Sequence, residues 1–513
     1  MTEQLALLPG YLTAHLQLTL LGLLASSAVS LPLGLTITRM GWLERPVLAA
    51  AAVIQTVPSL ALLAIMVPTL AALNLQSIGF FPAFIGLTLY GVLPILRNTV
   101  TGIAGVDDAL IDAAKAVGMT PGQQLRRVEL PIAMPVIIAG LRTATVWTVG
   151  IATLSTPVGA TSLGNYIFSG LQTRNHAAVL VGCVAAAVLA LVLDGLVKGL
   201  ETSIRRRRPR QFRSLLAVLA GLYLYTGFTL ATALLPNGPQ PVTIGAKGFT
   251  EQYILAQILG QQIEHETGRT ATQRQSLGSM VAFDALVAGD IDTYVDYTGT
   301  LWANVMGRTT VGIDRAQVLA EVRTFLAEQH GIQVVATLGF ENAYAVAARA
   351  QDAETLQLTR ISDLIPLAST LSMGGDFEFF SRPEWFAIQD IYGLEFEEQR
   401  TMEAALMYQA VAGGAVDLIS AYTSDGRIST YDLRVLEDDR FAVPPYDAVI
   451  LASARLAQER PDVLRALSDL AGTIDVNEMR RMNLEVDEGG IDPSMVANAY
   501  LTELATRQVS PLR

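Results

Sequence analysis

The sequence predicts a chain of two unlike parts: an all-α polytopic membrane domain of six helices, then an α/β domain with two lobes. Three observations predict it. Of 513 residues, 51% are apolar, too many for a wholly soluble chain. The apolar runs long enough to cross a ~30 Å hydrocarbon layer all lie within the first 235 residues. Beyond them, short β-branched segments alternate with helical patterns, as α/β layers require.

Charge divides the chain at the same place. Residues 1–210 hold fourteen Lys and Arg against eight Asp and Glu, and residues 211–513 hold twenty-one against thirty-nine. The positive part keeps its charge beside apolar runs, which excludes a nucleic-acid partner and fits a lipid bilayer followed by an acidic soluble domain. The single cysteine, Cys183, excludes an intrachain disulfide and a thiolate metal cluster. The opening MTEQLALLPG has no Lys or Arg, so the first apolar run is expected to stay as a membrane helix and not to be cleaved as a signal peptide.

Spans are predicted near 11–38, 46–72, 79–100, 134–160, 175–199 and 213–235. Lys and Arg mark the connections that remain inside the cell. Arg39 and Arg45 follow the first span; Arg97, Lys115, Arg126 and Arg127 surround the third connection; Arg205–Arg208, Arg210 and Arg213 follow the fifth. The other connections are nearly free of positive charge, with Arg174 the exception. This pattern orients the N-terminus and everything after residue 236 outward. Asp194 and Lys198, four apart on the fifth span, are expected to neutralise each other near its cytoplasmic end, and Arg142 to serve structure.

The membrane domain is thus expected over 1–210, a sixth helix and linker over 211–241, and the outer domain over 242–513. After the sixth span the linker LLPNGPQPVTIGAK is rich in turn residues. Strands are predicted at Val242–Gly245, Ile332–Thr337 and Asp417–Ser420, and helices at Glu251–Glu266 and Arg315–His330.

Residues 105–131, GVDDALIDAAKAVGMTPGQQLRRVELP, form the most informative connection. Asp107 and Asp108 suit a helix start, Ala109–Val117 is strong helix former, and Gly118 can take the left-handed turn that ends it. An amphipathic connector would explain part of this pattern. The full spacing of Asp112, Ala113, Ala114, Gly118, Val128, Leu130 and Pro131 resembles the coupling loop of ABC importer permeases, with Asp where Glu is usual. That resemblance implies a type I permease fold, a homodimer through the membrane domain, and two copies of a separate ABC ATPase. The chain has no G-x-x-x-x-G-K-[ST] phosphate loop, so ATP is expected to be used by the partner, with no cofactor in this chain. The histidines at 15, 176, 265 and 330 are scattered, and no metal-ligand spacing or catalytic triad is present.

The outer domain contains, in order, GAKGFTEQ, GDIDTYVDYTGT, GFENAYAV, GGDFEFFSRPEW, AYTSDGRI and VPPYDAVI. This ordered set resembles the glycine betaine, carnitine and choline receptors of the osmoprotectant uptake family. It implies a type II two-lobed binding protein with one lobe at 242–343 and 447–513 and the other at 344–446. It further implies a methylammonium box of Tyr297, Tyr344, Tyr422 and Tyr446, and a carboxylate clamp of Lys247, Thr300 and Arg382. Gly278 and Ser279 match a ligand-facing loop more loosely, because Met280 follows. Asn342 stands where some relatives carry an acid, so cation binding is expected to rest on the rings alone.

The residue types suit the ligand. A trimethylammonium group has no N–H to donate, whereas aromatic faces attract it by about 0.5–2 kcal/mol each. Its carboxylate needs donors, which Arg, Lys and Thr supply. Glycine betaine, proline betaine and carnitine stay open as solutes of such an importer, as do ergothioneine and choline. A membrane-anchored sensor is the reading from another class, but six spans and a coupling loop exceed an anchor's needs. An enzyme is not expected, since no nucleophile is paired with a base.

Overall fold

The structure, a computed structural model, describes residues 2–73, 75–173, 175–234, 240–308 and 312–509. Arg174 and linker residues 235–239 lie outside the described residues. Two compact units emerge: Met1–Gly170 with His176–Pro239 and Ser276–Asp284, and Leu171–Asn175 with Gln240–Gln275 and Ala285–Arg513.

The first unit is helical. Its elements are α1 (Thr2–Ile37), α2 (Gly41–Thr56), α3 (Ser59–Ala72), α4 (Phe80–Ala104), α5 (Asp108–Ala116), α6 (Pro121–Gln124), α7 (Leu130–Thr153), α8 (Gly164–Gln172), α9 (His176–Arg205) and α10 (Pro209–Leu234). Among the described residues five helices are long and apolar enough to cross a membrane, and the pair α2 and α3 makes a sixth if taken as one span. α4 lies between α1 and α7, and α7 also packs on α9.

Two details depart from expectation. The run at 46–72 is not one straight helix: α2 and α3 meet at 96°. Pro58 has no N–H to continue the ladder, and Val57 turns extended with ψ 128°. Its freed carbonyl accepts the Tyr90 hydroxyl of α4, while Gln55 Nε2 donates to the Tyr90 carbonyl at 3.1 Å. Asp194, in turn, takes Arg142 of α7 as its hydrogen-bonded partner in place of Lys198. Arg142 Nε and Nη2 both reach its carboxylate, the latter at 3.0 Å. A planar two-pronged guanidinium matches a carboxylate better than the ammonium one turn away.

The loop between α4 and α7 folds as its spacing predicts. Asp107 caps α5 by accepting from the Ala109 N–H at 2.9 Å, and Gly118 adopts φ +79° beyond its end. Thr120 and Gln123 close a reciprocal cap on α6. Leu130 and Pro131 then open α7.

In the second unit β1 (Val242–Lys247), β2 (Ala271–Leu277), β3 (Thr293–Tyr297), β4 (Gln333–Glu341) and β10 (Asp447–Ala452) form one sheet, ordered β2-β1-β3-β10-β4. β5 (Tyr344–Arg349), β6 (Ser372–Gly375), β7 (Glu398–Thr401), β8 (Leu418–Tyr422) and β9 (Leu433–Val435) form the other, ordered β7-β6-β8-β5-β9. The chain passes between sheets at Asn342–Ala343 and again between β9 and β10. α11 (Thr250–Thr267) covers the first sheet.

Replacing Asp194 by Asn should lower the thermal stability of the purified protein, because a charged guanidinium loses its paired acceptor at a cost of about 1–3 kcal/mol. The reversed pair, Arg142→Asp with Asp194→Arg, should recover most of that loss in the same melting measurement.

Candidate functional site

The site grows from strand register. β5 and β8 run antiparallel with Tyr344 directly opposite Tyr422, so both rings leave the same sheet face. Their centroids stand 5.1 Å apart. Tyr446, one residue before β10, sets its ring edge-on to Tyr344 at 6.2 Å. Gly299 makes this possible, since a Cβ there would sit 2.3 Å from the Tyr446 ring. Phe379 lies 5.3 Å from Tyr344, and the Arg382 guanidinium carbon lies 5.0 Å over the same ring.

Tyr297 ends β3 and is joined to this group by hydrogen bonds. Its hydroxyl donates to Glu251 Oε1 at 2.5 Å, and that oxygen also accepts Asn342 Nδ2 at 3.0 Å. The Asn342 N–H donates to the Tyr446 carbonyl at 3.1 Å. Phe249, stacked on Tyr297 at 6.3 Å, and the Lys247 ammonium, 5.4 Å from the Tyr297 centroid, complete that side.

The residues expected to hold a carboxylate are differently disposed. Lys247 is ion-paired with buried Asp296, which the Tyr294 hydroxyl and Tyr297 N–H also hold, at 2.5 and 2.8 Å. Arg382 straddles Glu384 at 3.2 and 3.3 Å and reaches Glu378 at 3.1 Å. Both cations keep spare N–H groups after these bonds. The Thr300 hydroxyl makes no hydrogen bond among the described residues. Ser279 opens the Ser279–Ala288 helix and makes no hydrogen bond to the tyrosine group.

The rings are not electrostatically isolated: acids stand behind three of the four phenols. Tyr422 donates to Asp376 at 2.6 Å, Tyr446 to Glu384, and Tyr297 to Glu251. A phenol that donates to a carboxylate holds more negative charge on its ring face, which strengthens attraction for a cation. Burial pushes all three phenols well above their usual range, so the rings stay neutral. Asp376 and Glu384 belong to the same DFEFFSRPEW stretch as Arg382, yet in sequence they are indistinguishable from solvated acids.

An aromatic cluster backed by carboxylates, on one chain with helices of membrane length, is the combination expected of a solute receptor joined to a transport channel. Comparison with known proteins agrees. Residues 240–503 match the family described as the substrate-binding domain of the ABC-type glycine betaine transport system. Residues 30–206 match the binding-protein-dependent transport system inner membrane component. An ergothioneine transport permease/ergothioneine binding protein of Helicobacter pylori (strain G27) is 30% identical over 464 residues, 88% of this chain and 82% of that one. A carnitine transport binding protein of Listeria monocytogenes is 31% identical over 56% of this chain and 96% of its own length. A choline transport system permease protein of Bacillus subtilis (strain 168) is 43% identical over 35% of this chain and 80% of its own. The chain belongs to the ABC importer family in which an inner-membrane, multi-pass permease is fused to a substrate-binding domain of the glycine betaine type.

A second buried charge group ties the sheets together beside the box. Arg427 grips Asp425 through Nε at 2.9 Å and Nη2 at 2.5 Å and lies 4.2 Å over the Tyr408 ring. Asp487, on the Val476–Asp487 helix, stands 3.9 Å from Arg427 and accepts the Thr250 hydroxyl at 2.6 Å. Burial pushes the Asp487 carboxyl up to about 6, above the ~4 of an unfolded chain. With the folded value raised, the stability it contributes is complete below pH ~4 and is lost as pH rises through about 6. Asp487→Asn should therefore stabilise the protein at pH 7.5, by on the order of 2 kcal/mol, and leave it nearly unchanged at pH 4. Unfolding followed by intrinsic fluorescence at the two pH values measures the difference.

Proposed function

We propose that this chain is the permease and solute receptor of an importer for a quaternary-ammonium zwitterion, and that the observation carrying this reading is the convergence of Tyr344, Tyr422 and Tyr446 beside Tyr297 and Arg382. The rings and the acids behind them favour a methyl-capped cation. Arg382, Lys247 and Thr300 retain donors for the carboxylate at the other end, which favours glycine betaine, proline betaine or carnitine over choline. The receptor faces outward, in keeping with the Lys and Arg of the intervening loops.

Ergothioneine, a histidine-derived betaine, is supported by two observations. The Helicobacter relative shares the fused architecture, and Asn342 Oδ1 is buried without a donor, where a ligand with a ring N–H could supply one.

In this reading two copies of the chain form one channel, and two copies of a separate ATPase drive it, with ATP bound there and no cofactor here. α5 supports the coupling role. Leu110 and Val117 are 47% and 72% exposed, with Ala113 between them on the same face, while Ala114 is buried against the membrane unit. The exposed stripe is apolar, narrow and capped at both ends, suited to a groove on a partner.

The ligand class is tested by titrating the full chain in lipid nanodiscs with glycine betaine, carnitine, ergothioneine and choline. The zwitterions should bind, choline about tenfold more weakly for want of charge-assisted bonds, and Tyr422→Ala should cost about 0.5–2 kcal/mol. Equal affinity for choline, or no binding of any trimethylammonium compound, would overturn the assignment. Ala113→Trp should leave this binding intact and lower solute-stimulated ATP hydrolysis with the partner by about tenfold or more, as overpacking a close contact costs ~1–3 kcal/mol.

A further inference from the structure

Glu251 is the one acid behind the rings that resides on neither Tyr strand nor the Arg382 segment. It occupies the first turn of α11 and is 3% exposed. Both carboxylate oxygens are saturated. Oε1 accepts Tyr297 Oη at 2.5 Å and Asn342 Nδ2 at 3.0 Å; Oε2 accepts Ser424 Oγ at 2.5 Å and Asn483 Nδ2 at 3.2 Å.

Those donors come from different parts of the domain. Tyr297 ends a strand of the first sheet, Asn342 is the crossover between sheets, and Ser424 follows β8 of the second sheet. Asn483 sits on the Val476–Asp487 helix and also donates to the Ser424 carbonyl at 3.0 Å. The Tyr297 hydroxyl is held a second time, accepting Gln252 Nε2 at 3.1 Å. Four donors around one carboxylate favour its charged form, against the burial that pushes its carboxyl up. The anion is thus compensated by donors from both sheets at once.

We propose that Glu251 is a specificity-determining positioning residue: its carboxylate couples approach of the two sheets to the orientation and polarisation of the Tyr297 ring, so full affinity for a quaternary ammonium is reached only in the joined state. The inference rests on the reading of Tyr297 as a wall of the ligand box. Glu251 does not touch the ligand and acts through the phenol. An amide at 251 would present its N–H₂ to at least one of the side-chain donors, leaving a donor facing a donor, and would remove the charge that enriches the ring.

The test is a double-mutant cycle on the full chain in nanodiscs, with glycine betaine as probe and dimethylglycine, whose ammonium keeps an N–H, as the control ligand. Glu251→Gln and Tyr297→Phe should each weaken glycine betaine by about tenfold. The double variant should lose little more, since both changes break one unit. Dimethylglycine should be affected less, and Glu251→Asp should restore part of the preference for the fully methylated ligand. Losses that multiply, an equal loss for both ligands, or unchanged affinity in Glu251→Gln would overturn the proposal while leaving the box intact. Failure of the unmutated chain to bind glycine betaine would bring down the box and this inference together. If Glu251→Gln does not fold, Ser424→Ala carries the same cycle: it keeps the acid and the phenol, and its loss should likewise fail to multiply with that of Tyr297→Phe.

Discussion

The register of β5 against β8 is the constraint on which the candidate site depends. Tyr344 opposite Tyr422 puts two rings on one face, and a slip of one residue would send one of them to the other side of the sheet. Everything else attaches to that pair: Phe379 and Arg382 pack on Tyr344, Asp376 takes the Tyr422 hydroxyl, and Tyr446 meets Tyr344 edge-on from the return strand. Tyr297 and Glu251 join from the first sheet. A cation without N–H groups can be held by faces alone, so under the proposed function the domain's task is to aim rings from strands distant in sequence.

Much of this was legible in the sequence where the signal is local. The α5 helix has its cap, its alanines and its terminating glycine within twelve residues, and the structure builds it within a residue of the spacing. Arg315–His330 is likewise bounded by Asp314 and Gly331 as cap and stop. The four tyrosines could be found only through an ordered set of motifs, because a single buried tyrosine in a strand resembles any core aromatic. The acids Glu251, Asp376 and Glu384 left no local trace at all, since an acid beside a helix start looks the same whether it faces water or a phenol. Arg142 and Asp194 are 52 positions apart, so a neighbour on the same helix seemed the nearer partner. At Val57–Pro58 the signal existed, a proline within an apolar run, but run length concealed that the axis turns there.

The buried charges carry a cost as well as a use. In the inner group, Glu251, Asp296, Asp376 and Glu384 outnumber Lys247 and Arg382, and each ion taken from water demands full hydrogen bonding. The protein meets that demand with side-chain donors, four of them on Glu251, where a purely structural core would use apolar groups. Negative charge kept in excess beside aromatic faces is unfavourable for the empty fold and favourable for a bound cation, which is the sign expected of a recognition site.

The Arg142–Asp194 pair has a consequence for how the chain is made. α7 leaves the ribosome carrying a guanidinium near its middle, well before the carboxylate that answers it on α9. An unanswered charge on an inserting helix costs up to roughly 2.5–3.5 kcal/mol, the figure for the bilayer centre, and less towards the interface. Entry of α7 and α9 into lipid as companions would answer that charge at once, so the pair favours joint over separate insertion.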